Sequence, residues 1–371
     1  MRVLVCPDKF AGTLSAVEAA EAIEAGWRAG APRDEVTLRP LADGGPGFLE
    51  VLAQALDGNL ITVPTVDPLG RRVTGQVLLV GDTAYVESAQ ACGLHLLERG
   101  ERDPKITTSF GLGPLVTTAV EAGARRVVIG LGGSATNDAG GGFLAALDAA
   151  PLDADGYALP FGGAALAACD RLAGPPKIRD GVTLVAATDV DNPLVGIHGA
   201  SAVYGPQKGA TREDVQLLDI ALERFADVLQ KEKTCPPGLA ALPGAGAAGG
   251  LGAVLLALGG ERISGINLVR DLMGLDAQLD QADLVITGEG SFDHQSLRGK
   301  LVAGVAAAAR ERGVPCLVVA GQVSAGRREA AMAGIEEAYA LVDEVGPEDS
   351  MRRAGPSLRR LAQRLAGQWS R

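Results

Sequence analysis
Six loops concentrate the side chains that could do chemistry, and they follow apolar, strand-like runs. The most informative is Gly132-Gly133-Ser134-Ala135-Thr136-Asn137-Asp138, which continues to Gly140-Gly141-Gly142. It follows Val127 to Leu131, which reads as a buried strand, and precedes Phe143 to Ala149, which reads as a helix. A strand, a glycine-rich loop and a helix together present backbone N–H groups to an anion. Ser134, Thr136 and Asn137 add donors, and Asp138 adds a carboxylate able to face a metal. A tight turn with Asn and Asp capping the helix is the alternative.

Four of the other loops have the same character. Asp8-Lys9-Phe10-Ala11-Gly12-Thr13-Leu14-Ser15 supplies a carboxylate, a point positive charge and two hydroxyls. Asp43-Gly44-Gly45 is a turn bearing one carboxylate. Thr188-Asp189-Val190-Asp191-Asn192-Pro193 carries carboxylates at i and i+2, which share a side on extended backbone. Such a pair can hold Mg²⁺ or position a general base. Gly205-Pro206-Gln207-Lys208-Gly209 offers a lysine between turn glycines, either to a phosphate or to solvent. Beyond these, Thr287-Gly288-Glu289-Gly290 to Asp293 leads to Gly299-Lys300. Gly299-Lys300 lacks the first glycine and the Ser/Thr of a P-loop, because His294 and Leu301 stand there. Neither a G-x-S-x-G element nor a His-based nucleophile set is present, which disfavours hydrolases. Donors, lysines and carboxylates are the groups phosphoryl transfer needs, with an Asp accepting the hydroxyl proton. The loops are expected to converge on one cleft, since ligands bind outside the carboxyl ends of strands in α/β sheets.

The elements that must position these loops are read from periodicity. Apolar runs at 2–6, 35–39, 126–131, 183–187, 283–287 and 315–320 alternate with helical patterns, the mark of a parallel-sheet α/β protein. Ser15 and Glu18 form a capping box ahead of Val17, Ala20, Ile23 and Trp27 on one helical stripe. Thr211 and Asp214 open a second helix with Val215, Leu218, Leu222, Phe225 and Leu229 at spacings of three and four. Segments 60–66, 73–80 and 83–88 are short, β-branched and joined by turn residues, so antiparallel strands are expected. The Gly, Ala and Pro-rich stretch 234–252 reads as a hinge, a ligand-facing loop or a flexible connection. Pro356 marks the start of a C-terminal amphipathic helix, whose arginines form a solvated face.

The bulk composition narrows the class. The 371 residues suffice for two or three lobes, and 47% are hydrophobic. A net charge of −11 argues against nucleic acid and anionic membrane as partners. Five scattered cysteines without C-x-x-C spacing suggest reduced thiols in a cytoplasmic protein. The three histidines are isolated from one another, so a zinc site is not expected. The chain opens directly on a strand-like run with no signal-peptide pattern, and no apolar stretch is long enough to span a bilayer.

Seven ordered motifs then carry a family resemblance: PDKFAGTLSA at 7–16, PLADGG at 40–45, GLGGSATND at 130–138, TDVDNPL at 188–194, GPQKGA at 205–210, PGAGAAGGLG at 243–252 and TGEGSFDHQSLRGK at 287–300. The chain resembles the bacterial glycerate kinase family of type I, the glycerate 2-kinase group. The resemblance implies ATP-dependent phosphorylation of D-glycerate, Mg²⁺ dependence and a two-lobed α/β fold. A Rossmann-like parallel-sheet domain from both chain ends (1–60 and 284–371) would carry an inserted α/β domain (61–283). Ala11, Pro46 and Ala139 depart from the family pattern, where Lys, Glu and Gly are common. Lys9 is then the remaining phosphate-ligand candidate of its loop, and Asp43 the only carboxylate of its own.

The expected roles follow motif by motif. Asp189, Lys208, Asp8 and Lys9 are the catalytic set, with Asp189 the favoured proton acceptor and Asp8 and Asp293 its rivals. Gly132, Gly133, Ser134, Thr136, Asn137, Gly288, Glu289, Asp293 and Lys300 are expected to hold ATP. Asp43, Gly44, Gly45, Asn192 and Ser15 are expected to hold D-glycerate. Asp191 and Asp138 are expected to hold Mg²⁺. Association into a homodimer is left open. A kinase for another hydroxy acid or sugar acid is the alternative; a GHMP-type kinase fits GLGGSA but not the flanking motifs, and a non-catalytic sugar-acid sensor lacks an output module.

Overall fold
In the computed structural model all residues are described except 232–233, 295, 298–300 and 371. The described strands are β1 (Arg2–Val5), β2 (Glu35–Leu38), β3 (Asn59–Val66), β4 (Arg72–Val80), β5 (Thr83–Glu87), β6 (Arg126–Gly130), β7 (Pro151–Leu152), β8 (Arg171–Leu172), β9 (Thr183–Ala187), β10 (Glu261–Ile263), β11 (Leu284–Phe292), β12 (Cys316–Val323) and β13 (Glu337–Ala340). The chain divides into two compact units. The first comprises 1–43, 50–55 and 266–371, and the second 44–49 and 56–265. The last crossing between units thus falls at Ile266, earlier than the expected 284. The two helices Gly265–Leu272 and Leu275–Leu279 account for the difference. All of the second, and all but Gly265 of the first, go with the first unit.

The first unit is built on a five-stranded sheet of order β13-β12-β11-β1-β2, parallel throughout. Counted within the unit, the order is 5-4-3-1-2. This is the flavodoxin-like version of the doubly wound fold, with its switch point between β1 and β11. Buried Val3, Val5, Ile23, Trp27, Leu284, Ile286, Leu317, Leu358, Leu361 and Leu365 form its core. Most of these positions come from strand runs and helical stripes legible in the sequence. The helix Ala16–Gly30 opens on the Ser15–Glu18 capping box, and Ser15 Oγ accepts from the Glu18 N–H at 3.2 Å. Pro356 lies in the first turn of the helix Ala354–Trp369.

The second unit has a six-stranded sheet of order β10-β9-β6-β5-β4-β3. Strands β10, β9, β6 and β5 run parallel, and β4 and β3 extend the sheet antiparallel. The short, β-branched segments therefore form the meander expected of them. Strands β7 and β8 form a separate two-residue hairpin ladder. Leu115, Val127, Ile129, Phe143, Leu184, Leu222, Phe225 and Leu255 sit in this unit's core. The helix Arg212–Leu229 starts on the Thr211–Asp214 capping box. All five cysteines are free thiols, and four of them are buried. No helix among the described residues is long and apolar enough to cross a membrane.

Strand β11 is longer than its sequence suggests. Pairing with β12 continues to Phe292↔Val323, which recruits the polar run Thr287–Ser291 into the ladder. Gly288 and Glu289 are therefore strand residues rather than the loop residues expected.

Candidate functional site
Register fixes the centre of the second unit's candidate site. Gly130 on β6 pairs with Glu87 on β5 and with Ala187 on β9, which itself pairs with Ile263 on β10. Four parallel strands thus end at one level, and the residues just beyond them share one edge. These are Ser88, Leu131, Thr188 and Ser264, followed by the glycine-rich loop and Asp189. Ser88 Oγ donates to the Gly130 carbonyl at 2.7 Å, and the Leu131 N–H donates to Ala187 O at 2.9 Å. Glu87 accepts from the N–H groups of Gly47 and Leu49, both at 3.1 Å.

The segment after Asp43 lies directly on the glycine-rich loop. A Cβ on Gly132 would come within 2.6 Å of Gly45 Cα, so any side chain there would separate the two backbones. Gly45 and Gly132, far apart in sequence, are therefore packed backbone to backbone within the second unit. The loop crest is open at Gly132 and Gly133, whereas Ser134, Thr136, Asn137 and Asp138 are buried. Its far side is held by Ala135 N donating to Cys92 O at 2.7 Å and Leu94 N donating to Gly133 O at 2.8 Å.

The stretch 243–252 supports the loop from beneath. Far from being a flexible connection, Ala245, Ala247 and Leu251 are wholly buried. Gly249 adopts φ +69°, and a Cβ there would lie 1.9 Å from the Thr136 carbonyl. Its own carbonyl accepts from Ala139 N at 3.0 Å. Ala139 and Ala248 adopt positive φ without being glycine, at 44° and 50°. Left-handed backbone at alanine stores strain of order 1–3 kcal/mol, which the surrounding packing holds in place.

Each loop side chain has a distinct place. Asn137 Nδ2 donates to Ser201 Oγ at 2.8 Å, while Asn137 Oδ1 and Thr136 Oγ1 are buried without a hydrogen-bond partner. Buried orphan acceptors and hydroxyls are costly and mark a place where a ligand can complete the network. Asp138 differs from the metal-facing carboxylate expected. It accepts from Ser109 N, Ser109 Oγ, Gly140 N and Gly142 N at 2.8–3.2 Å. Burial raises its pKa against those bonds, and its oxygens are committed to holding the loop. Lys208 is neither solvated nor extended toward the surface. It is 2% exposed, and its Nζ donates to Ser134 Oγ at 2.9 Å and to Thr136 O at 2.7 Å. Burial lowers its pKa to about 7, although Asp138 and Cys92 pull the other way.

On β9's edge, Asp189 is exposed and accepts from Ser264 Oγ at 2.6 Å. Asp191 is 77% exposed and pairs with Arg262 at 2.5 Å. Asn192, expected to meet substrate, braces a turn. It donates to His198 O and accepts from the Tyr204 hydroxyl, each at 2.8 Å.

In the first unit the switch point gathers the remaining candidates. Asp8 N donates to Gly288 O at 2.8 Å, which ties the loop after β1 to β11. Lys9 Nζ stands 3.3 Å from Asp43 Oδ1 and 3.6 Å from Asp8 Oδ1. Burial raises Asp8 to about 6 despite the adjacent lysine, and Asp43 adds to the rise. Burial pulls the Lys9 ammonium down, but Asp43 and then Asp8 outweigh it and push its pKa up. Asp43 itself is half exposed. Ser15, also expected at the substrate, donates to Glu50 Oε1 at 3.1 Å besides capping its helix. Asp293 turns with Ser296, whose N–H it accepts at 3.1 Å. Lys300 lies outside the described residues.

Sequence reasoning missed Ser201, Ser264 and Gly249. Only Gly249 gave a signal, as part of the small-residue motif 243–252.

A glycine-rich loop beside strand-end carboxylates, at the ends of the parallel strands of a mixed α/β sheet, is the arrangement of a small-molecule phosphotransferase. Residues 3–370 match the profile of the Glycerate kinase family. A glycerate kinase of Halalkalibacterium halodurans is 41% identical over 362 residues, covering 96% of this chain and 94% of that protein. A glycerate 2-kinase of Escherichia coli K12 is 40% identical, covering 94% of this chain and 92% of its own length. A crystal structure described provisionally as glycerate kinase 2 from Salmonella typhimurium LT2 superposes with a TM-score of 0.81 at 38% identity. It covers 99% of this chain and 98% of its own. The chain belongs to the glycerate kinase family, and it is an enzyme, a kinase that phosphorylates glycerate.

Proposed function
We propose that the protein transfers the terminal phosphoryl group of ATP to D-glycerate and forms 2-phosphoglycerate. The E. coli relative, described as a glycerate 2-kinase, supports the choice of product. The observation that carries the reading is the loop 132–138. Its backbone is open at the crest, and below the crest lie a buried lysine and the Thr136 hydroxyl, which has no hydrogen-bond partner. Such a loop favours an anion and costs little reorganisation when one arrives.

In this reading Gly132, Gly133 and Ser134 bind the nucleotide phosphates, and Thr136 and Asn137 hold the loop's shape beneath them. Asp189 accepts the proton of the glycerate hydroxyl, since register places it one strand from the glycine loop. A second reading assigns that proton to Asp8, because a carboxyl raised to about 6 is poised near neutral pH. Lys9 and Asp43 then balance charge around it.

The residues fit Mg²⁺ that arrives with the nucleotide rather than a resident metal cage. Among the described residues no group of three or more His, Cys, Asp or Glu is placed to hold an ion. Mg²⁺ needs only one or two protein carboxylates alongside phosphate oxygens and water. Asp191 is the exposed carboxylate that fits, since its surface ion pair with Arg262 is cheap to break. When bound, the ion neutralises charge developing on the phosphates. Free buried thiols support a cytoplasmic location.

The test is purified protein with ATP, Mg²⁺ and D-glycerate, reading ADP release and the ³¹P spectrum of the product. ADP formation with a 2-phosphoglycerate signal is expected. Turnover with another hydroxy acid but none with D-glycerate would overturn the substrate assignment.

A further inference from the structure
Lys208 combines complete burial with an ammonium that forms no ion pair with any described carboxylate. Its bonds go to one hydroxyl and one carbonyl of the glycine-rich loop, 74 and 72 positions away in sequence. An ammonium only donates. Ser134 Oγ must therefore spend a lone pair on Nζ, and its own proton points away from the lysine. The same contact polarises that O–H. Thr136 is gripped by its carbonyl, so its side chain is left as the orphan described above.

Taken with the reading that nucleotide phosphates sit on this loop, on which the inference rests, the geometry assigns a part to the lysine. We propose that Lys208 is a positioning residue: without touching the nucleotide, its ammonium turns the Ser134 hydroxyl outward as a donor and couples polyphosphate capture to its own charge.

The coupling has a definite sign. In the free protein burial holds Lys208 near 7, and the titratable groups acting on it are Asp138, on the loop, and Cys92, at the end of the helix Ala89–Cys92. Cys92 is itself pushed up by burial and stays neutral. Asp138 is fixed by four donors. An anion on the loop stabilises the ammonium and raises its pKa. Above pH 7 nucleotide binding then takes up a proton, and affinity falls as pH rises.

The experiment is calorimetric titration of ADP at pH 6.5 and 8.5, in buffers of different ionisation enthalpy, without turnover. For the wild type we expect net proton uptake at pH 8.5 and an affinity at least fivefold lower than at pH 6.5. Lys208→Gln keeps donors for Ser134 and Thr136 but cannot titrate, and Lys208→Met keeps only bulk. In whichever variant folds by circular dichroism, the uptake should vanish and the pH dependence flatten. Uptake and slope unchanged from wild type would overturn the proposal. Ser134→Ala separates the two ideas. Unchanged ADP affinity in that variant removes the underlying nucleotide reading, whereas weakened affinity with Lys208-independent pH dependence removes only the role given to Lys208.

Discussion
Asn137 Nδ2 donates to Ser201 Oγ at 2.8 Å and joins the glycine-rich loop to the helix Ala200–Tyr204 across 64 positions of sequence. Asn137 is thus both a candidate phosphate neighbour and a structural tie. The two roles separate by mutation. Asn137→Ala and Ser201→Ala each leave a buried partner unsatisfied, at a cost of about 1–3 kcal/mol. Both should lower the melting temperature by similar amounts. Only Asn137→Ala should also lose kcat, because only Asn137 sits on the loop. Equal kcat/KM in both variants would make Asn137 a tie and nothing more.

Gly249→Ala tests the support beneath the loop. The new Cβ would meet the Thr136 carbonyl at 1.9 Å on a backbone at φ +69°. Overpacking and left-handed strain together should cost about 2–5 kcal/mol. Denaturant unfolding reads the loss, and KM for ATP should rise even where the variant remains folded. A melting curve like the wild type's would show that the segment yields freely.

How much of this was legible beforehand depended on range. The Ser15–Glu18 and Thr211–Asp214 capping boxes, the strand runs and the β3–β5 meander are local patterns, and they appear where the sequence puts them. The long-range consequences were not legible. Lys208 reads as a loop lysine because its flanking glycines are adjacent, whereas its partners at 134 and 136 are distant. The 243–252 stretch has the composition of a surface connection, yet its small residues permit close approach to the glycine-rich loop. Asp138 was legible as a carboxylate on a loop, but not as one already filled by four donors.

Divalent-ion dependence follows from the donor set. Turnover should stop in EDTA, return with Mg²⁺ or Mn²⁺, and survive a zinc-selective chelator. The melting temperature of the nucleotide-free protein should not change in EDTA, because the described residues form no metal cage. Full turnover after exhaustive removal of divalent ions would contradict the reading.

Asp8 gives a pH signature in stability. Its folded pKa of about 6 lies above the ordinary carboxylate value of 3.8, so folding favours the protonated form. The stability it contributes is present below about pH 4 and is lost as pH rises through 6. Asp8→Asn removes that titration. The variant should melt higher than wild type at pH 7.5 and match it near pH 4. A gap of the same size at both pH values would mean that Asp8 does not titrate in this window.

The proton acceptor is decided by Asp189→Asn, which keeps side-chain volume and removes the basic oxygen. Asp189 lies one strand from the glycine-rich loop, since β9 and β6 end in register at Ala187 and Gly130. Ser264 Oγ donates to it at 2.6 Å and orients the carboxylate at the strand edge. General-base catalysis contributes about 10²–10⁴-fold, so kcat should fall within that range while ADP affinity is nearly kept. Ser264→Ala should lose less, because the base remains and only its orientation is relaxed. The pH–rate profile supplies the independent check. With Asp189 as base the acidic limb disappears in Asp189→Asn and survives in Asp8→Asn. If Asp189→Asn turns over normally while Asp8→Asn is inactive, the base is the carboxyl poised near 6 in the first unit. The limb then reports the titration of Asp8 instead.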